Sequence, residues 1–342
     1  MRHINIPVFI PHLGCPNQCV FCNQRSISGV DKFDPCSVTE IIDNALSTTD
    51  PDDEIEIAFF GGSFTGIDRD LMISLLEISK RYIDGGSIRS VRCSTRPDYI
   101  DDEILDLLKK YGVKTIELGL QSSSDKVLEI SKRGHNFEAE KIACKKIVDN
   151  GFNLVGQMMI GLPGSNIKYE LETADFIISA GAIGARIYPT VVFRDTELAF
   201  LTETGKYAPL TLDDAIKRSA LVLERFIDSK IEVIRIGLQS SENLSDKNQY
   251  VGGPNHPALG ELVIGEFYYN KITKLLVDLE LSQDDTIKIC VSRGAISKAV
   301  GQNKRNKIRL AEKYKNISFV EKDELSEFEI LVETDNGENK CI

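Results

Sequence analysis

Three cysteines lie close together near the start of this 342-residue chain: Cys15, Cys19 and Cys22, in the run CPNQCVFC. Their CxxxCxxC spacing brings three thiolates to one short loop. A structural zinc site takes four protein ligands, and a [4Fe–4S] cluster is usually held by four cysteines. Three cysteines around such a cluster leave one iron open. The spacing therefore predicts an iron–sulfur site at which that iron binds a ligand from outside the protein.

S-adenosylmethionine suits the open iron because its amino and carboxylate groups can chelate a metal. Reductive cleavage of its sulfonium then releases a 5′-deoxyadenosyl radical, chemistry that the cofactor supplies and the protein positions. Phe21, just before the third cysteine, offers a ring on which adenine would stack, although a core Phe fits the same position. A zinc site completed by His12 or Cys36 is the alternative interpretation of the triplet.

The composition indicates a cytoplasmic protein. The chain is acidic, with a net charge of −11, and it shows no apolar run of membrane length and no signal-peptide pattern. Eight cysteines in such a chain favour a reducing compartment over a secreted disulfide framework. We interpret the cysteines outside the triplet as buried or inert thiols: Cys36, Cys93, Cys144, Cys290 and Cys341.

Apolar, β-rich runs alternate with amphipathic stretches from the first residues to about residue 240, which is typical of βα units and a parallel sheet. The strands are predicted at HINIPVFI, EIEIAFF, IRSVRCS, VKTIELGL, GFNLVGQMMI and GARIYPTVV, with a further strand over residues 231–238. Helices are predicted at residues 38–47, 69–83, 100–110, 137–150, 168–179 and 212–229. This pattern predicts an α/β fold, a partial (βα)6 barrel of the TIM type, with its site at the carboxyl ends of the strands.

The segment YVGGPNHPALGELV is rich in Gly and Pro, so we expect it to be irregular and place a domain boundary next to it. Residues 1–266 form the barrel with its extension, and residues 267–342 form a small α+β domain. Between residues 286 and 320 nine Lys or Arg stand against one acid. Such a basic island is either a nucleic-acid face or a solvated helix surface.

The second predicted strand ends in FFGGSF, and consecutive glycines let the backbone approach a ligand closely, although a plain turn uses them too. After a CxxxCxxC loop, this motif makes the chain resemble the radical S-adenosylmethionine superfamily. The resemblance extends to the radical domain of the catalytic subunit of Elongator, which modifies wobble uridines in tRNA. It covers residues 6–207 through FFGGSFTGI, STRPDYID, IELGLQSSSDKVLEISKRGH, GQMMIGLPG and ARIYPTVVFRDTELAFLTETGKY.

The resemblance implies roles for residues at the strand ends. The three cysteines of the triplet would ligate the cluster, and Gly61, Gly62 and Ser63 would contact the methionyl moiety. Gln121 and Arg133 match positions that hold the ribose and carboxylate of the cofactor, where Arg suits a bidentate clamp; a strand-end polar residue and a helix-cap cation are the alternatives. Further cofactor contacts are assigned to Ser94, which stands where the family usually has an acid, and to Gln157.

Arg186 and Tyr188, in ARIYP, fall at the end of the sixth predicted strand, where a large substrate would enter. We interpret them as substrate or radical-relay residues, against a buried Tyr with a satisfied hydroxyl. His135 and Gln157 point toward the same rim, where each would either orient its neighbours or touch the substrate. Nothing after Tyr207 resembles an acetyltransferase domain, so acetyl-CoA is not expected. The superfamily implies a flavodoxin or ferredoxin as electron donor.

The run IKICVSRGAISKAVGQNKRNKIRLAEKYKNISFVEK resembles a K-homology module, in which a GxxG loop between two helices approaches a nucleic-acid backbone. Here GQNK takes the place of GxxG, and its last glycine is missing. The resemblance implies an RNA-binding role for Gly301, Lys304, Arg305 and Lys307, and a purely structural α+β cap is the alternative.

The sequence thus favours a radical S-adenosylmethionine enzyme that modifies RNA, with tRNA the first candidate and rRNA the second. Two alternatives stay open. One is a radical enzyme that acts on a small molecule or a protein. The other is a non-catalytic RNA-binding factor that keeps a zinc-filled relic of the site.

Overall fold

A computed structural model describes residues 2–11, 13–15, 19–24, 33–50, 52–238, 249–335 and 339–341. His12, the alternative zinc ligand, lies outside the described residues. By contacts the chain divides into two units. The first comprises residues 1–210 and 231–255, and the second comprises residues 211–230 and 256–342. Within the described residues, no helix combines the length and apolarity needed to cross a bilayer.

The first unit is built on a curled, seven-stranded parallel sheet. Its strands are β1 (His3–Phe9), β2 (Glu54–Phe60), β3 (Ser90–Thr95), β4 (Val113–Gln121), β5 (Asn153–Ile160), β6 (Gly184–Pro189) and β8 (Glu232–Ile236), and they neighbour one another in that order. A separate pair, β7 (Val192–Phe193) and β9 (Tyr250–Gly252), runs antiparallel. The predicted partial barrel is confirmed, with the strand expected at residues 231–238 forming the seventh position of the sheet.

The helices of the first unit lie between these strands: α1 (Val38–Leu46), α2 (Arg69–Asp84), α3 (Asp102–Lys110), α4 (Asp125–Ile130), α5 (Phe137–Asp149), α6 (Ile167–Ser179) and α7 (Glu197–Glu203). Five of these seven helices start at a side-chain cap, because the first N–H groups of a helix have no partner within it. Asp101 accepts from the Ile104 N–H at 2.8 Å, and Asn136 accepts from the Ala139 N–H at 3.0 Å.

Most residues of the central strands of this sheet are buried, as in parallel sheets whose faces are covered. In β2, for example, Ile55, Ile57 and Phe59 are almost fully buried. The polar exceptions, such as Glu56 and Glu117, are also buried, and they occupy the barrel interior. Because all seven strands are parallel, their carboxyl ends meet at one rim, which receives the cysteine loop and the other candidate residues.

The second unit contains a four-stranded sheet and four helices among its described residues. The strands are β10 (Thr286–Ser292), β11 (Asn316–Lys322), β12 (Ile330–Thr334) and β13 (Asn339–Cys341), in the order β11-β10-β12-β13. The helices are α8 (Leu212–Asp228), α9 (Leu259–Asp278), α10 (Ile296–Val300) and α11 (Arg305–Ala311). Strand β10 pairs parallel with β11 and antiparallel with β12, so the predicted α+β character of the C-terminal region is confirmed.

The segment that was expected to be irregular, residues 250–263, is partly regular. It begins with β9, and α9 starts at Leu259, so the expectation of an irregular segment was wrong. The glycines and prolines that suggested a loop are confined to residues 252–257, and Gly260 lies inside the first turn of the helix. The domain boundary expected between residues 266 and 267 falls inside α9, which belongs whole to the second unit.

Candidate active site

The cysteine loop follows β1 at the rim of the barrel. Cys19 is 7% exposed, whereas Cys15 and Cys22 are half-buried. The Val20 N–H donates to the Ser131 carbonyl at 3.2 Å, which ties the loop to the end of α4. Burial, with the neighbouring Cys19 and Cys15 thiols, raises the pKa of the Cys22 thiol to about 12. The three sulfur atoms are therefore close enough for the charge on one to affect another.

The cysteine loop offers three sulfur donors, which fit a [4Fe–4S] cluster with one open iron. In the described ranges, no three His, Cys, Asp or Glu side chains converge on a point that one metal ion could occupy. A [4Fe–4S] cluster does not require such convergence, because each cysteine binds a different iron. Cys36, proposed as a fourth zinc ligand, is exposed beside the start of α1.

Two arginines reach the sulfur of Cys19. The Arg133 Nη1 lies 3.3 Å from the Cys19 Sγ, and the Arg96 Nη1 lies 3.9 Å from it. Arg133 also donates through Nη2 to the Gly119 carbonyl at 2.5 Å. Its buried Nε meets no hydrogen-bond partner among the described residues. Positive charge at a cysteine sulfur favours the thiolate, which is the form that ligates iron.

The glycine pair at the end of β2 allows the cysteine loop to approach closely. Gly61 has φ +100°, a conformation that favours glycine. A Cβ on Gly62 would lie 2.8 Å from the Ile10 carbonyl oxygen and closer still to that of Leu13. The glycines therefore admit the backbone that precedes the cysteines, and the contact with a methionyl group stays a prediction. The Ser63 hydroxyl is fully buried and bonds that of Thr95 at 2.9 Å, and the cofactor contact of Ser63 stays a prediction.

Gln121 ends β4 in a strained conformation, with φ +71°. The strand shifts register between Gly119 and Gln121, which turns the Gln121 side chain back over Gly119, beside Arg133. Its Oε1 is buried and has no hydrogen-bond partner in the described part of the chain. An acceptor left open beside the cysteine loop matches a ribose hydroxyl. Together with the Nε of Arg133, it leaves two buried polar atoms of the site without a hydrogen-bond partner among the described residues, which fits a polar ligand that the structure does not contain.

Glu117 holds a buried network inside the barrel. Arg186 donates to its carboxylate twice, from Nε at 2.7 Å and from Nη2 at 2.9 Å. Arg92 adds a third contact at 3.1 Å, and the Gln157 amide adds a fourth at 2.9 Å. Burial alone would raise the pKa of Glu117, but hydrogen bonding and charge from Arg186 outweigh it and lower that pKa. The carboxylate therefore stays ionised in the folded protein.

The remaining candidate residues of the barrel are distributed between this network and the core. Gln157 also donates to the Ser94 hydroxyl at 3.2 Å, so both side chains are engaged within the barrel interior. Burial raises the pKa of Tyr188, against the opposing charge of Arg186. Phe21 packs against an apolar cluster that includes Val20 and Val192, which matches the core interpretation of this ring.

Two functional candidates were missed from the sequence. Glu117 lies in the apolar run VKTIELGL, and an acid in the middle of a strand buried on both faces was the available signal. Arg96 lies in the STRPDYID motif, but its contact with Cys19 joins positions 77 residues apart and leaves no local pattern. The His135 side chain, in contrast, is only 1% exposed and contacts Asp98 and Glu140, which fits a residue that orients its neighbours.

In the second unit, the GQNK turn joins α10 to α11. Gly301 has φ +78°, and Asn303 and Lys304 are also left-handed, with φ of 53° and 61°. Lys304 therefore adopts the conformation that the missing glycine of a GxxG loop would favour. Lys304 and Lys307 are exposed, whereas Arg305 forms an ion pair with Asp213 at 3.0 Å.

Asn306 anchors this turn. It is 2% exposed, and its Nδ2 donates to the Gly265 carbonyl at 2.7 Å and to the Ala299 carbonyl at 3.0 Å. A Cβ on Gly301 would lie only 3.0 Å from the side chain of Asn306. The turn is thus held against α9, and the lysines next to it point to solvent.

Two sequence models of known families match consecutive parts of the chain: the radical SAM superfamily over residues 9–177, and the radical SAM C-terminal domain over residues 183–269. Together they cover well over half of it. An uncharacterized protein of Methanocaldococcus jannaschii is 30% identical over 221 residues, which are 61% of this chain and 67% of that protein.

A tRNA uridine(34) acetyltransferase of Methanocaldococcus jannaschii is 28% identical over 210 residues, 54% of this chain. The chain spans only 38% of that enzyme. Among solved structures, the archaeal Elp3 of Methanocaldococcus infernus, with an N-terminal deletion, aligns with a TM-score of 0.61 and 22% identity. It covers 82% of this chain, and the alignment takes in 63% of that structure. This likeness shows the fold, and with the sequence relatives it confirms the resemblance to the radical domain of Elongator.

Proposed function

The chain belongs to the radical SAM superfamily, whose members use a [4Fe–4S] cluster and S-adenosylmethionine, and from this premise we propose that it modifies RNA, with tRNA the first candidate substrate and rRNA the second. The observation that carries the enzymatic part is the meeting of the cysteine loop, Arg133 and Gln121 at the rim of the barrel. The RNA part is supported by the tRNA-modifying relative and by the exposed lysines of the GQNK turn.

When bound, the cluster and S-adenosylmethionine supply a 5′-deoxyadenosyl radical that abstracts hydrogen from a substrate. Cys15, Cys19 and Cys22 would hold the cluster. Arg133, with its free Nε, and Gln121, with its open Oε1, would bind the carboxylate and ribose of the cofactor. The close approach of the Leu13 backbone to Gly62 would hold the start of the cysteine loop in place.

Arg186 and Tyr188 are the proposed substrate-side residues. The Arg186 guanidinium is fixed by the two hydrogen bonds that it donates to Glu117, and its Cζ lies over the Phe60 ring, 5.5 Å from the centroid. Burial raises the pKa of Tyr188 even with Arg186 beside it, so its hydroxyl keeps its proton. Tyr188 would therefore offer a hydrogen-bond donor, or a hydrogen atom, and not a base.

RNA binding would use the GQNK turn of the second unit. Lys304 and Lys307 project from the start of α11, and among the described residues no acid forms an ion pair with either. Ile308, beside them, is 58% exposed. Cations next to an apolar side chain suit a nucleic-acid strand, because phosphates take the charge and a base covers the apolar group.

The binding experiment compares a Lys304→Gln, Lys307→Gln double variant with a matched Lys288→Gln, Lys315→Gln variant. The matched lysines are exposed in the same unit but already paired, with Glu333 and Asp284. Loss of two phosphate contacts lowers the slope of log affinity against log salt by about 1.4 for a single strand. We expect this change for bulk tRNA with the first variant alone, measured by filter binding. Equal slopes for both variants would remove the turn from the RNA interface.

The substrate class is tested by nucleoside analysis. Digested tRNA and rRNA from a strain that lacks the gene are compared with RNA from the parent strain by mass spectrometry. We expect one modified nucleoside to disappear from tRNA. An unchanged profile in both RNA classes would refute RNA as the substrate. We further propose a flavodoxin or ferredoxin as electron donor and the cytoplasm as location, in line with the superfamily.

A further inference from the structure

Arg96 has no role in the function proposed above, although it is buried beside the cysteine loop. It follows β3 directly, is only 4% exposed, and directs its Nη1 toward the Cys19 sulfur at 3.9 Å. With Arg133 at 3.3 Å, two guanidinium groups face the same sulfur. A buried cation is costly without a negative partner.

A fixed anion holds Arg96 in this position. Asp98 accepts from both Nε and Nη2 of Arg96, each at 2.9 Å. Arg96 also donates to the Arg133 carbonyl through Nη2. Its guanidinium therefore has contacts on three sides, and Nη1 is the group left to face the cysteine. The Arg133 carbonyl thus gives Arg96 a further hydrogen-bond acceptor in addition to Asp98.

Behind Asp98 lies a buried histidine and a second acid. The His135 Nδ1 is 3.6 Å from an Asp98 carboxylate oxygen, and its Nε2 is 3.0 Å from the Glu140 carboxylate. The side chains of His135 and Glu140 are 1% and 0% exposed. Burial would raise the pKa of Asp98, but His135 and Arg96 outweigh it and hold that pKa well below its ordinary value. Asp98 therefore remains an anion opposite Arg96.

We propose that Asp98 holds Arg96 beside Cys19, where the positive charge of Arg96 sets the reduction potential of the cluster. Arg96 is in this sense a positioning residue for electron transfer. This inference rests on the proposed function, because it requires the cysteines to hold a [4Fe–4S] cluster. One-electron reduction adds a negative charge to the cluster. A buried cation at a ligand sulfur stabilises that charge and raises the potential, and an anion behind the cation lowers it in part.

The two ends of this ion pair therefore predict opposite effects. Arg96→Gln removes the cation and leaves Asp98 uncompensated, so reduction becomes less favourable. Asp98→Asn removes the anion while the Arg133 carbonyl still holds Arg96, so reduction becomes more favourable. A purely structural role would shift both variants in one direction or in neither.

The experiment is a redox titration of anaerobically reconstituted full-length protein, followed by electron paramagnetic resonance of the reduced cluster. We expect the equilibrium constant for reduction to fall about tenfold in Arg96→Gln, a shift of about 59 mV to more negative potential. Asp98→Asn shifts the potential in the positive direction. Arg89→Gln is the matched control, because Arg89 precedes β3 where Arg96 follows it, and its side chain is 67% exposed. Its potential stays at the wild-type value.

Potentials for Arg96→Gln and Asp98→Asn that move together, or that equal the Arg89→Gln value, would overturn the inference. If Arg96→Gln assembles no cluster, the sign of the Asp98→Asn shift decides alone, and a negative or absent shift overturns it. A wild-type protein that takes up no iron and sulfide refutes the proposed function instead. The two failures are therefore distinguishable.

Discussion

Replacing Glu117 by Gln probes the buried network at the centre of the barrel. The carboxylate is fully buried and accepts from Arg186 at 2.7 and 2.9 Å, from Arg92 at 3.1 Å and from Gln157 at 2.9 Å. A Gln side chain keeps the shape of Glu117, but its one oxygen accepts from only some of these donors. Its NH2 group also places N–H donors opposite the guanidinium groups, which are donors themselves. Arg186 then loses its counter-charge, whereas Arg92 keeps Glu56, which accepts from its Nε at 2.8 Å.

Breaking a buried ion pair by removing one partner costs about 3–5 kcal/mol. In a unit of this size each kcal/mol lowers the melting temperature by about 2–4 °C, so we expect Glu117→Gln to melt about 6–20 °C below the wild type. Glu103→Gln is the matched control. Glu103 pairs with Arg69 at 3.2 Å but is 80% exposed, and such surface pairs contribute about 1 kcal/mol or less.

The assay is thermal unfolding of the full-length protein, followed by circular dichroism at neutral and acidic pH. Because the pKa of Glu117 is lowered in the folded state, its contribution is fully present above the ordinary pKa of a Glu side chain. It is lost as pH falls through the lowered value. The difference in melting temperature between Glu117→Gln and the wild type is therefore constant near neutral pH and becomes smaller in acid. A variant that melts within about 2 °C of Glu103→Gln at pH 7 would refute this reasoning.

Three further predictions follow from single contacts. Gly62→Ala places a Cβ 2.8 Å from the Ile10 carbonyl oxygen, so reconstituted protein should contain far less iron and sulfide than a Gly85→Ala control, whose φ is −75°. Asn306→Ala leaves the carbonyls of Gly265 and Ala299 without their donor, so unfolding of the second unit should become easier by about 1–3 kcal/mol in urea. Burial raises the pKa of Glu140 to about 7, and the folded state therefore binds this proton more tightly. Wild-type stability should then fall as pH rises from about 5 to about 7, and in Glu140→Gln this part of the pH dependence should vanish.

The strands and helices of the barrel were predictable because each carries its pattern within a few residues. The run EIEIAFF is buried along its length, and DDEILDLLKKYG has both the apolar stripe and the capping Asp101. The start of α9 was not predictable in the same way. Its first turn follows GGPNHP, which predicts a loop. The helix is stabilised by the burial of Leu259 and Val263, and that burial depends on distant contacts.

The candidate site was predictable only where one motif holds all its members. The cysteine triplet is such a motif, as is the pair Gly61 and Gly62. The contact of Arg96 with Cys19 is not, because it depends on how β3 and the cysteine loop meet at the rim. The register shift at Gln121 is likewise a property of the sheet, and no local pattern in the sequence predicts it.

The central claim is that the Cys15, Cys19 and Cys22 loop supports radical chemistry on RNA. The most direct measurement is 5′-deoxyadenosine formation from S-adenosylmethionine by anaerobically reconstituted protein under reductant, with and without bulk tRNA. Cys19→Ala is compared with Cys144→Ala, which removes a buried thiol from α5. We predict product that rises with tRNA in the wild type and in Cys144→Ala, and none in Cys19→Ala. No product from wild-type protein with a fully assembled cluster would contradict the account.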